Sequence, residues 1–210
     1  MSGEAILLIG AGGHARSCID VIEQQDRYRI AGLVGVEQEV GSFQLGYPVL
    51  GNDADLPRLL AEFKRVLVAV GQIKSPDLRM RLFAQAQAHG CELPTIVSPH
   101  AYVSRHACVG AGTVVLHGAI VGPNAKVGSN CIVNTCAVVD HDAVVGDHCH
   151  ISTAAVLNGG VQVGAGSFVG SRASVRQDIR IGERCVLGLG RAVVTDCPDG
   201  TWLPVRKEKA

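Results

Sequence analysis

The chain has 210 residues, and its 19 Lys and Arg balance its 19 Asp and Glu, so its charge gives no indication of a nucleic-acid partner. Hydrophobic residues make up 47% of the chain but aromatic residues only 4%, which predicts a core of small aliphatic side chains. The first apolar run, residues 5–9, is too short for a membrane span or a signal peptide, so we expect neither membrane association nor export.

Strands and helices are predicted to alternate over residues 1–96. Short apolar runs predict strands at 5–9, 29–34 and 65–70. Helices are predicted at 15–25, at 53–63 with Asn52 as the N-cap, and at 76–89. Because this alternation is typical of a parallel sheet covered by helices, we predict a small Rossmann-like α/β subdomain that binds the acceptor.

A glycine-rich turn joins the first predicted strand to the first predicted helix. It contains Gly10, Gly12, Gly13 and His14, and it brings backbone N–H groups to a helix start, where an anion can bind. A NAD site would also need an acidic residue at the end of the second strand, whereas the first acidic residue there is Glu37. We therefore favour the phosphate of a sugar nucleotide over NAD, with a purely structural turn as the remaining alternative.

Residues 97–197 carry an unbroken six-residue repeat. Every sixth residue from Val97 to Val193 is Val, Ile or Leu, and the fourth residue after each of these is usually small. A fixed period over half of a chain indicates a solenoid, and a period of six indicates a parallel β-helix with three hexads in each triangular coil. Residues 18 positions apart therefore stack in neighbouring coils. Residues 198–210 are predicted to form a C-terminal tail.

The eight cysteines include no C-x-x-C pair and do not show the spacing of a secreted disulfide scaffold. Four of them fall on the small-residue position of the repeat: Cys131, Cys149, Cys185 and Cys197. We interpret these four as packing thiols, which predicts a reducing, cytoplasmic location for the protein.

The glycine turn and the repeat occur together with the stretch 134–142, Asn-Thr-Cys-Ala-Val-Val-Asp-His-Asp, and with His150 downstream. This combination resembles the bacterial sugar acetyltransferases, a hexapeptide-repeat family that includes the UDP-4-amino-sugar N-acetyltransferases of bacillosamine synthesis, GDP-perosamine N-acetyltransferase and the sialic acid O-acetyltransferases. The resemblance implies a left-handed β-helix, acetyl-CoA as co-substrate without a metal, a role in surface glycan synthesis, and a homotrimer with active sites between subunits.

His141 and Gly159 are 18 residues apart, so the repeat predicts that they lie at the same corner in neighbouring coils. An imidazole with a pKa near neutrality can remove the proton from an attacking amine or hydroxyl. The Gly159 N–H can stabilise the negative charge that develops on a thioester oxygen. Asp140 is predicted to orient the imidazole. No acyl-enzyme is required, because both substrates can meet in a ternary complex.

Further site residues follow from the resemblance. It implies that His14 and Asn134 lie near the acceptor, together with the glycine turn, and that His150 lies near the thioester. The acetyl-CoA groove is expected where the backbone must approach the ligand, at Gly159, Gly170, Ser171, Gly188 and Leu189. Five arginines in the later coils either hold the CoA phosphates or are solvated charges: Arg172, Arg176, Arg180, Arg184 and Arg191.

One departure concerns the nucleotide. Relatives that act on UDP-sugars often carry an acidic pair just after the second strand, where this chain has Gly35 and Val36. Either Glu37 or Glu39 substitutes for that pair, or the acceptor carries a different nucleotide or none.

We therefore predict an acetyl-CoA-dependent N-acetyltransferase that acts on the amino group of a nucleotide-linked amino sugar. O-acetylation of a sialic-acid-type sugar is the alternative within the family. A zinc lyase of the γ-carbonic anhydrase type would need three converging imidazoles, whereas His141, His148 and His150 fall on different corners or sides of the repeat. A non-catalytic sugar-nucleotide sensor is the third possibility.

Overall fold

The structure, a computed structural model, describes residues 3–205 of the chain. Residues 1–2 and 206–210, which belong to the predicted N-terminal subdomain and the predicted tail, lie outside the described residues. No helix in the described part has the length and apolar character needed to cross a bilayer.

The N-terminal subdomain is an open sheet flanked by helices. Its elements are β1 (Glu4–Ile9), α1 (Gly13–Gln25), β2 (Tyr28–Val34), a 3₁₀ turn (Glu37–Glu39), β3 (Phe43–Gln44), β4 (Tyr47–Gly51), α2 (Leu56–Glu62), β5 (Val66–Val68) and α3 (Asp77–Ala88). The strand order is β3-β4-β2-β1-β5. β1, β2, β4 and β5 run parallel, and β3 is antiparallel to β4. The predicted Rossmann-like pattern is therefore present, with an added hairpin.

The hairpin and the start of α2 differ from the prediction. Leu45 and Gly46 both have left-handed backbones, with φ of 46° and 87°, as a tight hairpin turn requires. Leu-Gly is not one of the usual sequence signals for that turn, so the hairpin was not foreseen. Asn52 does not cap α2 directly: its Oδ1 accepts the Ala54 N–H at 2.8 Å, and the helix begins at Leu56.

The repeat folds into a triangular prism with three parallel sheets, which we call faces 1, 2 and 3. Face 1 contains Ile96–Val97, Val114–Val115, Ile132–Val133, His150–Ile151, Phe168–Val169, Val186–Leu187 and Trp202–Leu203. Face 2 contains Tyr102–Val103, Ile120–Val121, Val138–Val139, Val156–Leu157, Ser174–Val175 and Ala192–Val193. Face 3 contains Cys108–Val109, Lys126–Val127, Val144–Val145, Gln162–Val163 and Arg180–Ile181. The last strand of face 1 lies within the segment 198–210 that the sequence treats as a tail.

Each two-residue strand directs its second side chain into the prism, because successive side chains in a strand point to opposite sides. These inward residues form one core with the small residues of the repeat; Val139 and Ile151, for example, are fully buried. The predicted six-residue grid of aliphatic side chains is therefore the core of the prism.

Hydroxyl and thiol side chains line the inside of the corner between faces 3 and 1. They recur every 18 residues, at Thr95, Thr113, Cys131, Cys149, Ser167 and Cys185. Cys131 is typical: its Sγ donates to the Gly146 carbonyl at 3.1 Å, and its N–H donates to Thr113 Oγ1 at 2.9 Å. Three of the four thiols that the sequence assigned to packing, Cys131, Cys149 and Cys185, therefore also hydrogen-bond the backbone of this corner.

The same corner carries a column of glycines, Gly110, Gly128, Gly146, Gly164 and Gly182. A Cβ atom on Gly164 would lie 2.5 Å from the Gly182 carbonyl carbon, and one on Gly146 would lie 2.8 Å from Ala165 N. Contacts this short exclude a side chain, so the close stacking of the coils requires glycine here.

Face 1 carries the N-terminal subdomain. Ile96, Val114 and Leu116 belong to the same buried cluster as Ile19 of α1. Arg79 of α3 is 1% exposed, and its guanidinium donates to the Val68 carbonyl at 2.8 Å and to Asn130 Oδ1 at 2.8 Å. A shared core and buried hydrogen bonds therefore fix the subdomain to the prism.

Candidate active site

His141 lies at the corner between faces 2 and 3, after the strand Val138–Val139. Its Nδ1 is 2.8 Å from Asp142 Oδ2, so Nδ1–H donates to the carboxylate and Nε2 keeps its lone pair. Asp142 is held in turn by Asn124, whose Nδ2 donates to Asp142 Oδ1 at 2.6 Å. In this tautomer His141 can accept a proton at Nε2.

Asp140, the predicted orienting carboxylate, has a different role in the structure. Its Oδ1 accepts the backbone N–H of His141 at 2.7 Å and so caps the corner, while the ring bonds to Asp142. Asp142 has a left-handed backbone with φ of 60°, and it is the carboxylate beside the ring. Sequence reasoning missed Asp142, although its position directly after His141 was a usable signal.

The surrounding carboxylates raise the pKa of His141 above its ordinary value. The hydrogen bond to Asp142 is the largest cause, followed by the negative charge of Asp140. The hydrogen bonds from Asn124 and His141 in turn lower the pKa of Asp142, so that carboxyl group stays ionised. The corner therefore favours the imidazolium form of His141.

Gly159 lies beside the His141 ring, one coil further along. A Cβ atom on Gly159 would be 2.5 Å from His141 Nε2, so only glycine leaves space for the imidazole. The next residue, Gly160, donates its N–H to the His141 carbonyl at 3.0 Å, which aligns the two coils. The Gly159 N–H itself donates no hydrogen bond within residues 3–205. The structure thus brings together the two residues that the 18-residue spacing predicts as base and oxyanion donor.

The variant Asp142→Asn tests which carboxylate orients the base. The pKa of His141 should fall when the carboxylate is lost, so the increase of kcat/KM with pH should occur at lower pH than in the wild type. We also expect kcat to fall by roughly tenfold or more. Asp140→Asn should cause the smaller shift, since it removes a nearby charge but not the ring's hydrogen bond. A pH–rate profile in which Asp140→Asn has the larger effect would return the orienting role to Asp140.

A cleft of about 480 Å³ lies at the carboxyl ends of β1, β2 and β5. Gly10, Gly12, Gly13 and His14 line one side of it. A Cβ atom would meet nothing within 4 Å at Gly12 or Gly13, so the first turn of α1 is open to the cleft and can receive an anion. Gly10 instead needs glycine for conformation, because its φ is 126° and the Ala69 backbone lies against it.

A second cleft of about 490 Å³ lies between α1, the loop after β5 and the corner between faces 1 and 2. It shares Gly13, His14 and Gly71 with the first cleft, and it also contains Asn134 and His150. Burial, and next the charge of Arg79, lowers the pKa of His14 to about 3, so this imidazole is neutral at physiological pH. The predicted acceptor residues therefore lie in one continuous groove.

His150 does not offer a free ring nitrogen, in contrast to its predicted place beside the thioester. It is 7% exposed; its Nδ1–H donates to the Gln72 carbonyl at 2.6 Å, and its Nε2 accepts from Asn134 Nδ2 at 3.0 Å. Asn134 Oδ1 is used as well, since it accepts the Thr135 N–H at 2.7 Å. His150 therefore positions Asn134 and the loop at Gln72, a contact that no local sequence signal could reveal.

Acid should destabilise the fold through His150. Burial lowers its pKa to about 4, whereas an unfolded histidine titrates near 6.5, so below pH 6.5 the unfolded chain binds the extra proton. The free energy of unfolding should be unaffected by this group above pH 6.5 and should fall by about 3 kcal/mol between pH 6.5 and 4. Urea unfolding across this range measures the loss. His150→Gln should reduce it by about 3 kcal/mol and leave the share of His14, whose pKa burial also lowers. An NMR titration in which the folded His150 protonates near pH 6.5 would contradict the assignment.

The predicted acetyl-CoA residues Gly170, Ser171, Gly188 and Leu189 lie at the corner between faces 1 and 2. Gly170 is required by stacking, because a Cβ atom there would lie 2.6 Å from the Leu187 carbonyl oxygen. Ser171 Oγ is 2.9 Å from Ser152 Oγ, and Leu189 is exposed. Gly159 is the exception among the predicted groove residues, since it lies with His141 at the corner between faces 2 and 3.

The five arginines of the later coils do not form one cluster. Arg180 lies on face 3, Arg172 and Arg176 lie at two different corners, and Arg184 pairs with Asp77 of α3 at 2.8 Å. Arg172 and Arg191 share the corner between faces 1 and 2, and the other three lie apart, so the five do not form the single group that the sequence allowed as a phosphate site.

The histidines weighed as zinc ligands face different partners. His141 contacts Asp142, His150 contacts Gln72, and His148 Nδ1 accepts from Asn130 Nδ2 at 2.9 Å. Within residues 3–205 there is no group of three or more His, Cys, Asp or Glu side chains arranged to hold a metal ion. The three imidazoles do not converge on one point.

Comparison with known proteins identifies both parts of the chain. Residues 5–86 match the family model of the PglD N-terminal domain. The chain is 35% identical to PerB from Caulobacter crescentus, solved in complex with CoA and GDP-perosamine, covering 97% of this chain and 95% of that chain with a TM-score of 0.88. It is 32% identical to the acetyltransferase domain of PglB from Neisseria gonorrhoeae FA1090, solved with acetyl coenzyme A, covering 97% of both chains with a TM-score of 0.87.

A more distant likeness, to WeeI from Acinetobacter baumannii AYE at 18% identity and a TM-score of 0.74, shows the fold alone. No curated protein matches the chain in the sequence comparison. The whole-length relatives confirm the predicted fold class, an α/β subdomain followed by a left-handed parallel β-helix. The chain belongs to the family of left-handed β-helix sugar acetyltransferases.

Proposed function

We propose that this enzyme transfers the acetyl group of acetyl-CoA to the amino group of a nucleotide-linked amino sugar. The observation that carries the proposal is the contact between the His141 ring and Gly159. Within residues 3–205 neither His141 Nε2 nor the Gly159 N–H makes a hydrogen bond. This pair supplies a base and an oxyanion donor at one corner. The CoA and GDP-perosamine bound to PerB, and the acetyl coenzyme A bound to the PglB domain, support the same two substrate classes here.

The reaction needs no covalent enzyme intermediate. His141 Nε2 takes a proton from the acceptor amine as its nitrogen attacks the thioester carbonyl carbon. The Gly159 N–H donates to the carbonyl oxygen as negative charge develops on it, and Asp142 holds the imidazolium. When the C–S bond breaks, His141 returns the proton to the departing thiolate, and the free base is restored.

The complete site is proposed to lie between subunits of a homotrimer. The acceptor groove contains Asn134 at the corner between faces 1 and 2, whereas His141 lies at the opposite edge of face 2. Strand geometry makes that separation roughly 15–20 Å, but a base must be about 3 Å from the proton it removes. A neighbouring copy can supply the missing His141.

Face 2 offers a surface for this contact. Its outward side chains include Tyr102 and Ile120, which are 61% and 42% exposed, and the partly buried Val138 and Val156. Exposed apolar stripes of this kind favour association, and a contact between unlike surfaces closes into a ring when the rotation permits.

The cysteines support a cytoplasmic location for the reaction, because all eight of them are free thiols.

A thiol-release screen tests the proposal. Purified protein and acetyl-CoA are combined with 4-amino sugars linked to UDP, GDP or dTDP, with CMP-linked sugars, and with free sialic acid. Rapid CoA release with a nucleotide-linked amino sugar is the expected result, and mass spectrometry should show the added acetyl group on nitrogen. Turnover with sialic acid alone would identify an O-acetyltransferase, and binding without CoA release from any acceptor would identify a sensor.

A further inference from the structure

We infer that Glu39 binds the ribose 2′-hydroxyl of the acceptor nucleotide, so that this enzyme selects ribonucleotide sugars over 2′-deoxyribonucleotide sugars. The inference rests on the proposed function, because it assigns one end of the same acceptor site. It is carried by the position of the Glu39 carboxylate in the cleft at the sheet edge, and by the way in which the neighbouring backbone holds it there.

The cleft has two chemically different ends. At one end Gly12, Gly13 and the first turn of α1 present backbone N–H groups, which suit phosphate oxygens. At the other end, beyond β2, the lining includes Glu39 and Asp53, and within residues 3–205 the whole lining contains no Lys or Arg. A ligand that fits carries phosphate at one end and hydroxyl or N–H donors at the other, as a nucleoside diphosphate does.

Glu39 is fixed in place at that second end. Its Oε2 accepts the Val36 N–H at 3.0 Å, so the carboxylate folds back over the residues that follow β2. Gly35 makes this possible, because a Cβ atom there would lie 2.6 Å from Glu39 Oε2. Because Gly35 has no side chain, the carboxylate of Glu39 from the following 3₁₀ turn can lie over the end of β2.

One oxygen of Glu39 remains available to a ligand. Within the described residues Oε1 makes no hydrogen bond, and no Lys or Arg pairs with the carboxylate. A carboxylate is only an acceptor, so its partner in the cleft must be a donor. In Rossmann-type sheets an acidic residue at the end of the second strand accepts from the ribose 2′-hydroxyl. Here β2 ends without one, and Glu39 brings a carboxylate to the same side of the cleft from the 3₁₀ turn that follows.

The other carboxylates near this end are less suited. Glu37 accepts from Asn52 Nδ2 and does not line the cleft. Asp53 lines the cleft, but its side chain is 77% exposed and lies 4.0 Å from Arg81. Of the two candidates that the sequence left open, the geometry therefore favours Glu39, and Glu37 becomes a matched control.

Calorimetric titration with UDP, 2′-deoxy-UDP, GDP and 2′-deoxy-GDP tests the inference. For the wild-type protein each ribonucleotide should bind about tenfold more tightly than its deoxy counterpart, the effect expected of one hydrogen bond to a charged group. In Glu39→Gln and Glu39→Ala the ratio should fall toward one, while Glu37→Gln should keep it. The ratio is the readout, because removing a negative charge can itself change the affinity for a diphosphate.

The outcomes separate this inference from the proposed function. If nucleoside diphosphates bind the wild type without preference for the 2′-hydroxyl, the role of Glu39 is overturned and the proposed acetyl transfer stands. A preference that survives in both Glu39 variants, or that disappears in Glu37→Gln, also overturns it. If no nucleoside diphosphate binds at all, the nucleotide-linked acceptor is wrong and both proposals fail.

Discussion

Replacing His141 with alanine is expected to lower kcat by roughly 10²- to 10⁴-fold, the usual contribution of a general base. Within residues 3–205 Nε2 makes no hydrogen bond and lies beside Gly159, so in the proposed mechanism its loss leaves the acceptor proton without a base. The side chain is 57% exposed, and its removal should leave the core of the prism unchanged. Steady-state CoA release with the acceptor found in the screen measures the effect, and calorimetry should show unchanged CoA binding.

A second histidine provides the matched control for this variant. His106 is exposed at the same corner, two coils earlier, and His106→Ala should keep the wild-type kcat. Added imidazole should restore part of the turnover of His141→Ala, because a small base can enter the space that the ring has left. The assignment of the base is falsified if His141→Ala keeps near-full turnover at saturating acceptor.

Replacing Val145 with aspartate is expected to prevent folding. Val145 is 2% exposed and points into the prism, where no partner could neutralise a carboxylate. Burying an unpaired charge costs several kcal/mol, which is comparable to the roughly 5–15 kcal/mol by which a native protein is stable. Far-ultraviolet circular dichroism and thermal unfolding should therefore show a chain without a cooperative transition.

The preceding residue in the same strand is the control. Val144 is 40% exposed and points outward from face 3, so Val144→Asp should change the stability by less than about 1 kcal/mol. The two variants carry the same substitution at adjacent positions, and only the direction of the side chain differs. Equal melting temperatures would show that the assigned inward direction is incorrect.

The prism was accessible from the sequence because its geometry repeats. Each coil uses the same six-residue grid, so the inward positions of Val97, Val139 and Val193 follow from one rule of spacing. The same rule placed Gly159 beside His141, since both belong to one corner. Local signals also sufficed for the glycine turn before α1, where strand, turn and helix follow one another directly.

The remainder of the site depends on contacts between distant parts of the chain. Arg79 meets Asn130 and His150 meets Gln72 because α3 and the loop after β5 pack on face 1, and no periodic pattern specifies that packing. Asp140 and Asp142 could not be ranked from spacing alone, because both flank His141. The backbone at the corner decides which carboxylate reaches the ring.

The covering of face 1 has a consequence for how this chain can change during evolution. Ile96, Val114 and Ile132 point away from the prism interior but are fully buried, and Arg79 spans the boundary to bond with Asn130. A chimera joined near residue 96 would separate these partners and leave a guanidinium facing an unmatched surface. An N-terminal subdomain taken from a relative should therefore fold well only together with that relative's own prism. New acceptor specificities would then arise more readily by substitutions inside the cleft than by recombination.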